Sequence, residues 1–151
     1  MKLRDYRPDD FSRLCEIDRR CFRPAVAYSR ADMAAWLGRR GAVVIVAENA
    51  RGTVAAFVLA ETHARGRAHI VTVDVLPAYR GQGVGRQLML ECERRLRRAG
   101  ARLARLETAV SNRAARKLYQ SLGYTFVGRA ARYYPGGEDA WVMEKSLHVR
   151  A

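Results

Sequence analysis

Apolar and polar positions alternate along the chain with a period that changes every few residues, which divides it into short elements. Lys2 to Tyr6 reads as a short opening strand, and Arg7-Pro8-Asp9-Asp10 as a turn that starts a helix. From about residue 9 to 21, Phe11, Leu14, Cys15, Ile17, Asp18 and Cys21 form a stripe at helical spacing, and Pro24 breaks it. Ser29 with Asp32 three residues on is a capping-box variant. It opens a second helix through Met33, Trp36 and Leu37, which Gly38 and Gly41 end.

Three strands are expected next. Ala42 to Ala47 is a continuous apolar run, as a central strand buried on both faces requires. Glu48-Asn49-Ala50-Arg51-Gly52 is a hairpin turn and Thr53 to Thr62 the returning strand; Ala64-Arg65-Gly66-Arg67 turns again into His69 to Val75. Pro77 stops that ladder, and a glycine-rich turn, Arg80-Gly81-Gln82-Gly83-Val84-Gly85-Arg86, feeds into a helix. Its apolar stripe is Val84, Leu88, Cys92 and Leu96, with charges on the other face and Gly100 as C-cap. Arg102 to Glu107 is then a strand parallel to its predecessor. Ser111-Asn112 caps a helix from Arg113 to Leu122 closed by Gly123. Thr125 to Arg132 and Ala140 to Ser146 flank the turn Tyr134-Pro135-Gly136-Gly137. The pattern predicts one α/β domain over residues 1–151, built on a mixed sheet.

A strand, a glycine turn and a helix start make a place for an anion. The first helical N–H groups lack internal partners, and the dipole adds positive charge there. Arg80 and Arg86 flank the turn and can fork onto phosphate. A nucleoside triphosphate loop would need a Lys-Ser or Lys-Thr after its last glycine, which is lacking. The third glycine comes one residue too soon for a dinucleotide fingerprint, and Arg86 stands where that motif wants it.

Composition adds little to this. The 151 residues, 49% of them hydrophobic, suffice for one core, and no stretch reaches membrane-spanning length, so a soluble cytoplasmic protein is expected. Cys15, Cys21 and Cys92 are an odd number at unrelated spacings, against a disulfide framework. His63, His69 and His148 make no HExxH or HxxxH, so no metal is expected. The net charge of +13 invites a nucleic-acid reading, but the arginines are scattered over every segment, so no specific nucleic acid is expected.

The segment from Val75 to Arg86, VLPAYRGQGVGR, resembles the acetyl-CoA loop of the GNAT acetyltransferase superfamily, and the element order β1-α1-α2-β2-β3-β4-α3-β5-α4-β6-β7 is that superfamily's order. The resemblance implies acetyl-CoA as cosubstrate. Main-chain groups of Gly81, Gln82, Gly83, Val84, Gly85 and Arg86, with Arg80, would face its pyrophosphate, and the backbone of Val73, Asp74 and Val75 its pantetheine arm. Leu106-Glu107-Thr108-Ala109-Val110-Ser111-Asn112 resembles the LEVRxSN segment of the ribosomal-protein-alanine N-acetyltransferases, whose glutamate is their base. The stretch from Asn112 to Tyr124 resembles the family's NxxAxxLYxxxGF/Y segment, whose asparagine contacts the cofactor and whose tyrosine is the general acid. Arg132 to Ala140 resembles the RYYxxGEDA hairpin, in which the equivalents of Tyr133 and Tyr134 shape a peptide slot.

From the residues alone, Glu107 could be a desolvated base with a pKa moved toward neutrality, or a strand-end glutamate paired with an arginine. Tyr119 could be an acid or a core aromatic. With the resemblance, the expected activity is acetyl transfer to the α-amine of a protein N-terminus, such as a ribosomal protein, by direct attack in a ternary complex. The alternatives are a GNAT enzyme for a small amine or a lysine side chain, and, in another class, a non-catalytic CoA-sensing or nucleic-acid-associated module. No membrane partner is expected, and the assembly would be a monomer or homodimer. Phe22 to Tyr28 departs from the family's FPW-type turn, which leaves the acceptor open.

Overall fold

The computed structural model describes residues 1–148; residues 149–151 lie outside the description. Seven strands form one sheet in the order β1-β2-β3-β4-β5-β7-β6: β1 Lys2–Asp5, β2 Ala42–Glu48, β3 Val54–Thr62, β4 Arg67–Val75, β5 Leu103–Ala109, β6 Thr125–Ala130 and β7 Ala140–Ser146. Among the described residues only β4 and β5 run parallel, as expected of strands joined by a crossover helix. Helices α1 (Phe11–Cys21) and α2 (Arg30–Leu37) cover one face, and α3 (Val84–Arg98) and α4 (Arg113–Ser121) pack on the other. Among the described residues no helix is long and apolar enough to cross a membrane.

Local signals set the ends as anticipated. The Ser29 hydroxyl accepts from the Asp32 amide at 3.0 Å, and the Asn112 side-chain carbonyl accepts from the Ala115 amide at 3.1 Å. After α3 the Gly100 and Ala101 amides return to Arg97 and Leu96, with Gly100 at a φ of 94° that favours glycine. Gly41 differs from the expectation of a helix end: a Cβ there would lie 2.5 Å from the Thr62 carbonyl oxygen, so it permits a close approach to β3.

The strand buried on both faces is β3, eight of whose nine residues are buried. The first three residues of β2 are half-buried, because the short β1 pairs only with the stretch from Ile45 to Glu48. The stripe on α3 is buried as expected, but Met89 and Glu93 join it. Glu93, fully buried, lies outside the solvent-facing charged set. It accepts from the Tyr124 hydroxyl at 2.8 Å and the Lys145 ammonium at 2.7 Å, so its charge is matched in the interior.

Two irregularities open the sheet where chemistry needs room. Leu59 on β3 faces Thr72 and Ala60 faces Ile70, so Val71 is an extra residue in β4, a bulge. Across it the alternation resets: Ile70, Val73 and Val75 pack with the α3-side core, and Val71 with the α1-side core. One residue earlier the β4–β5 ladder ends at Ile70 and Leu106, while both strands continue. Beyond that point β5 pairs only with β7.

Candidate active site

The gap left by the ladder's end is lined from β4 by Val71, Thr72 and Val73 and from β5 by Leu106, Glu107 and Thr108. It is the floor of a cavity of about 380 Å³ walled by the Phe22–Tyr28 segment, Trp36, Tyr133 and Tyr134. A groove of about 590 Å³ runs from Val73 and Val75 over the glycine turn to the Arg86 and Ser121 edge. The two spaces share Phe22, Val73, Asn112, Ala115 and Tyr119, so they meet beside Tyr119.

The glycine turn has the backbone features an anion cradle needs. Gly81 and Gly83 have φ values of 75° and 81°, the left-handed region, and a Cβ at either would meet no atom within 4 Å. Both glycines therefore present bare backbone to open space. Among the described residues, the amides from Gly81 to Arg86 donate to no backbone acceptor. Gly85 is tighter, with Leu118 3.2 Å from where its Cβ would stand. These features fit a diphosphate. Arg80 departs from a simple phosphate fork, since its Nε donates to the Val75 carbonyl at 2.8 Å; Arg86 donates to the Ser121 hydroxyl at 3.2 Å along the groove edge.

Glu107 lies within β5, paired with Val142 of β7, and not at the strand's end. Its side chain is 13% exposed. The His69 ring stands against one of its oxygens at 2.6 Å, the Tyr133 hydroxyl donates to the same oxygen at 3.1 Å, and Arg105 lies 3.8 Å from the other. Burial pushes its pKa up, but His69, Tyr133 and Arg105 together outweigh burial and hold it below the ordinary value. This reverses the expected shift toward neutrality: the two hydrogen-bonding neighbours, His69 on β4 and Tyr133 between β6 and β7, are distant in sequence and invisible to a local reading. A second cleft, with His69, Arg105, Tyr133 and Glu144 in its wall, reaches Glu107 from the other side.

Tyr119 is buried on α4, edge-on to Tyr124 with ring centroids 5.9 Å apart. Its hydroxyl has no hydrogen-bond partner among the described residues, and burial, then the charge of Asp74, pushes its pKa up. Asn112 lines both spaces but spends its carbonyl on the cap. Tyr133 and Tyr134 stand edge-to-face at 4.9 Å in the cavity wall. Val73 and Val75 line the groove, whereas the bulge turns the Asp74 side chain away from it toward α1.

Three features escaped the sequence. His69, which the sequence places at the head of a strand and outside any metal motif, touches the candidate base. Cys21 lines the groove and donates to the Val75 carbonyl at 3.4 Å; burial pushes its thiol up to about 11, which keeps it protonated. Local spacing also hid a gathering of Glu61, His63 and His69, whose donor atoms lie within 4.8 Å of one another because β3 pairs Glu61 with His69. These groups are engaged already, Glu61 by His63 and Arg39 and His69 by Glu107.

A family model described as "Acetyltransferase (GNAT) family" matches residues 11–124. The chain belongs to the GNAT acetyltransferase family. Within it, the chain is 35% identical over 109 residues to the N-terminal acetyltransferase A complex catalytic subunit ard1 of Schizosaccharomyces pombe, covering 68% of this chain and 62% of that protein. It is 41% identical over 75 residues to the N-alpha-acetyltransferase RimI of Mycobacterium tuberculosis, covering 49% and 46%. The chain thus spans less than two thirds of these relatives' own lengths. The crystal structure of the ribosomal-protein-S18-alanine N-acetyltransferase from Escherichia coli shares the fold at a TM-score of 0.86 and 28% identity, over 99% of this chain and 96% of that one. The seven-stranded mixed sheet with its four helices is the GNAT fold.

Proposed function

We propose that this GNAT protein transfers an acetyl group from acetyl-CoA to the α-amine of a protein N-terminus. The observation that carries the reading is the meeting of two spaces at Tyr119: a groove ending in free backbone amides, and a cavity holding a partly buried carboxylate. The amides from Gly81 to Arg86, with Arg86, would hold the diphosphate, and the Val73 and Val75 backbone the pantetheine arm. When bound, acetyl-CoA supplies the activated acyl group.

Glu107, ionised at neutral pH, takes the proton of the incoming ammonium, whose ordinary pKa near 8 needs only a mild base. The His69 ring and the Tyr133 hydroxyl hold that carboxylate in place. Tyr119 keeps its proton at neutral pH and can give it to the departing sulfur. Cys21, protonated, is a poor nucleophile, which supports direct attack by the amine.

The peptide preference rests on the shape around Glu107, a carboxylate reached from two clefts with a tyrosine hairpin as one wall. It also rests on the likeness to RimI and ard1 proteins. The test is thiol release from acetyl-CoA across peptides differing in their first residues, run beside polyamines, aminoglycosides and a lysine side-chain acceptor. Release with a subset of peptides is expected. Release only with the small amines or with lysine would replace the acceptor, and calorimetric binding of CoA without release to any acceptor would make the protein a CoA-sensing module.

A further inference from the structure

Beneath the junction of the two spaces lie two carboxylates the mechanism above does not use. Asp18 on α1 and Asp74 on β4 are 0% and 1% exposed. Each spends one oxygen: Asp18 accepts from the Tyr28 amide at 2.7 Å, and Asp74 accepts from the Thr72 hydroxyl. Among the described residues each keeps one buried oxygen, Asp18 Oδ1 and Asp74 Oδ2, without a partner, although the two side chains are within hydrogen-bonding reach of each other. Two bare carboxylate oxygens in contact inside a core would repel each other and lose their hydration, a cost of several kcal/mol per ion. A proton between them removes both costs, turning two orphaned acceptors into one donor and one acceptor.

We infer that Asp18 and Asp74 share one proton, and that this carboxyl–carboxylate pair is a positioning clamp holding the Phe22–Tyr28 wall of the acceptor cavity against β4. The wall is tied to the pair at one end, through the Tyr28 amide on Asp18, while at the other end Cys21 donates to the Val75 carbonyl, one residue after Asp74. The surroundings explain why the proton stays. Burial first, then the neighbouring Asp18, holds the Asp74 carboxyl well above the ordinary range, against the Thr72 hydroxyl and the Arg80 guanidinium. Phe57 on β3, its cross-strand neighbour, offers nothing polar. The other titratable groups facing the pair are Cys15 and Cys21 on α1, Tyr28 on the wall and Tyr119 on α4, all protonated at neutral pH. Full ionisation would add a second negative charge beside Tyr119 and push α1 from β4.

The experiment uses the full chain and two substitutions at one position. Asp18→Asn keeps an acceptor for Tyr28 and supplies a permanent donor to Asp74; Asp18→Ala supplies neither. Infrared difference spectra at neutral pH should show a protonated carboxylic acid in the unmodified protein that is lost in Asp18→Asn and in Asp74→Asn. Asp18→Ala should raise the acceptor KM tenfold or more while leaving the calorimetric affinity for CoA within about twofold, and Asp18→Asn should restore the KM. Absence of the carboxylic-acid band, or its survival in both asparagine variants, overturns the shared proton; an Asp18→Asn KM as poor as that of Asp18→Ala overturns the clamp. The KM arm rests on the acetyl-transfer reading, whereas the infrared arm does not. Failure of that reading would appear as no turnover in any variant with the band intact.

Discussion

Replacing Tyr119 by phenylalanine separates catalysis from packing, because the structure predicts opposite answers for the two. The ring lies buried beneath the sheet's α4 side against Tyr124, and the hydroxyl makes no hydrogen bond within the described residues. Removing the oxygen therefore strands no partner and opens no cavity larger than one atom, so unfolding free energy should move by less than about 0.5 kcal/mol. If the hydroxyl delivers a proton to the leaving sulfur, its loss should cost about a hundred- to ten-thousand-fold in kcat. That is about 2.7 to 5.4 kcal/mol of transition-state stabilisation, since each factor of ten is worth about 1.36 kcal/mol. Urea unfolding and thiol-release kinetics on the same preparation read the two quantities. A KM for acetyl-CoA near that of the unmodified enzyme would locate the loss in the chemical step. A variant that folds as well and turns over as fast would refute the acid role and return Tyr119 to the core.

The other predictions address the base, the cradle and the interior. His69→Ala removes the largest of the influences lowering the Glu107 pKa and leaves burial in place, so that pKa should rise. The depressed value makes Glu107 a stabilising group above its unfolded pKa, with the benefit lost as pH falls through the lower folded one. In the variant, the acid limb of kcat/KM should move to higher pH; an unmoved limb refutes the coupling. Gly83→Ala places a Cβ on a residue with φ of 81°, at a cost of about 1 to 2 kcal/mol, and projects it into the cradle. Calorimetry should show CoA binding weakened tenfold or more, and full affinity would remove Gly83 from the site. Glu93→Ala leaves the buried Tyr124 hydroxyl and the half-buried Lys145 ammonium without their carboxylate, which costs about 3 kcal/mol. The melting temperature should fall by on the order of 10 °C; a fall of only a degree or two would mean water replaces the carboxylate.

What the sequence discloses and what it withholds divide along contact distance. The caps at Ser29 and Asn112 and the glycine after α3 are bonds between residues three to five apart, so the residue types announce them. The cradle is legible for the same reason: its glycines and the helix that follows are consecutive. The settings of the site residues are not. Glu107 meets His69 across 38 positions and Tyr133 across 26, and those two contacts, with Arg105 nearby, reverse the direction of its pKa shift. Glu93 follows the buried Cys92 on α3 and reads as part of the solvent face until Tyr124 and Lys145 converge on it.

The least legible feature, the bulge at Val71, organises the most. With an extra residue, β4 can stay in register with one neighbour but not with both. It rejoins β3 at Thr72, while its ladder with β5 stops at Ile70. The cavity floor thus exists because pairing was given up on one side. The same reset turns Val73 and Val75 toward the groove and Asp74 toward Asp18. Deleting Val71 should close that floor while leaving the faces of β4 unchanged. Thr72 would follow Ile70 directly opposite Leu59 and Ala60, so Thr72 to Val75 would keep their β3 partners and their faces. The ladder with β5 could then continue beyond Ile70, taking the Val73 and Val75 backbone from the groove, which should abolish CoA binding. A deletion variant that binds CoA with unchanged affinity would show that the opening between β4 and β5 has another cause.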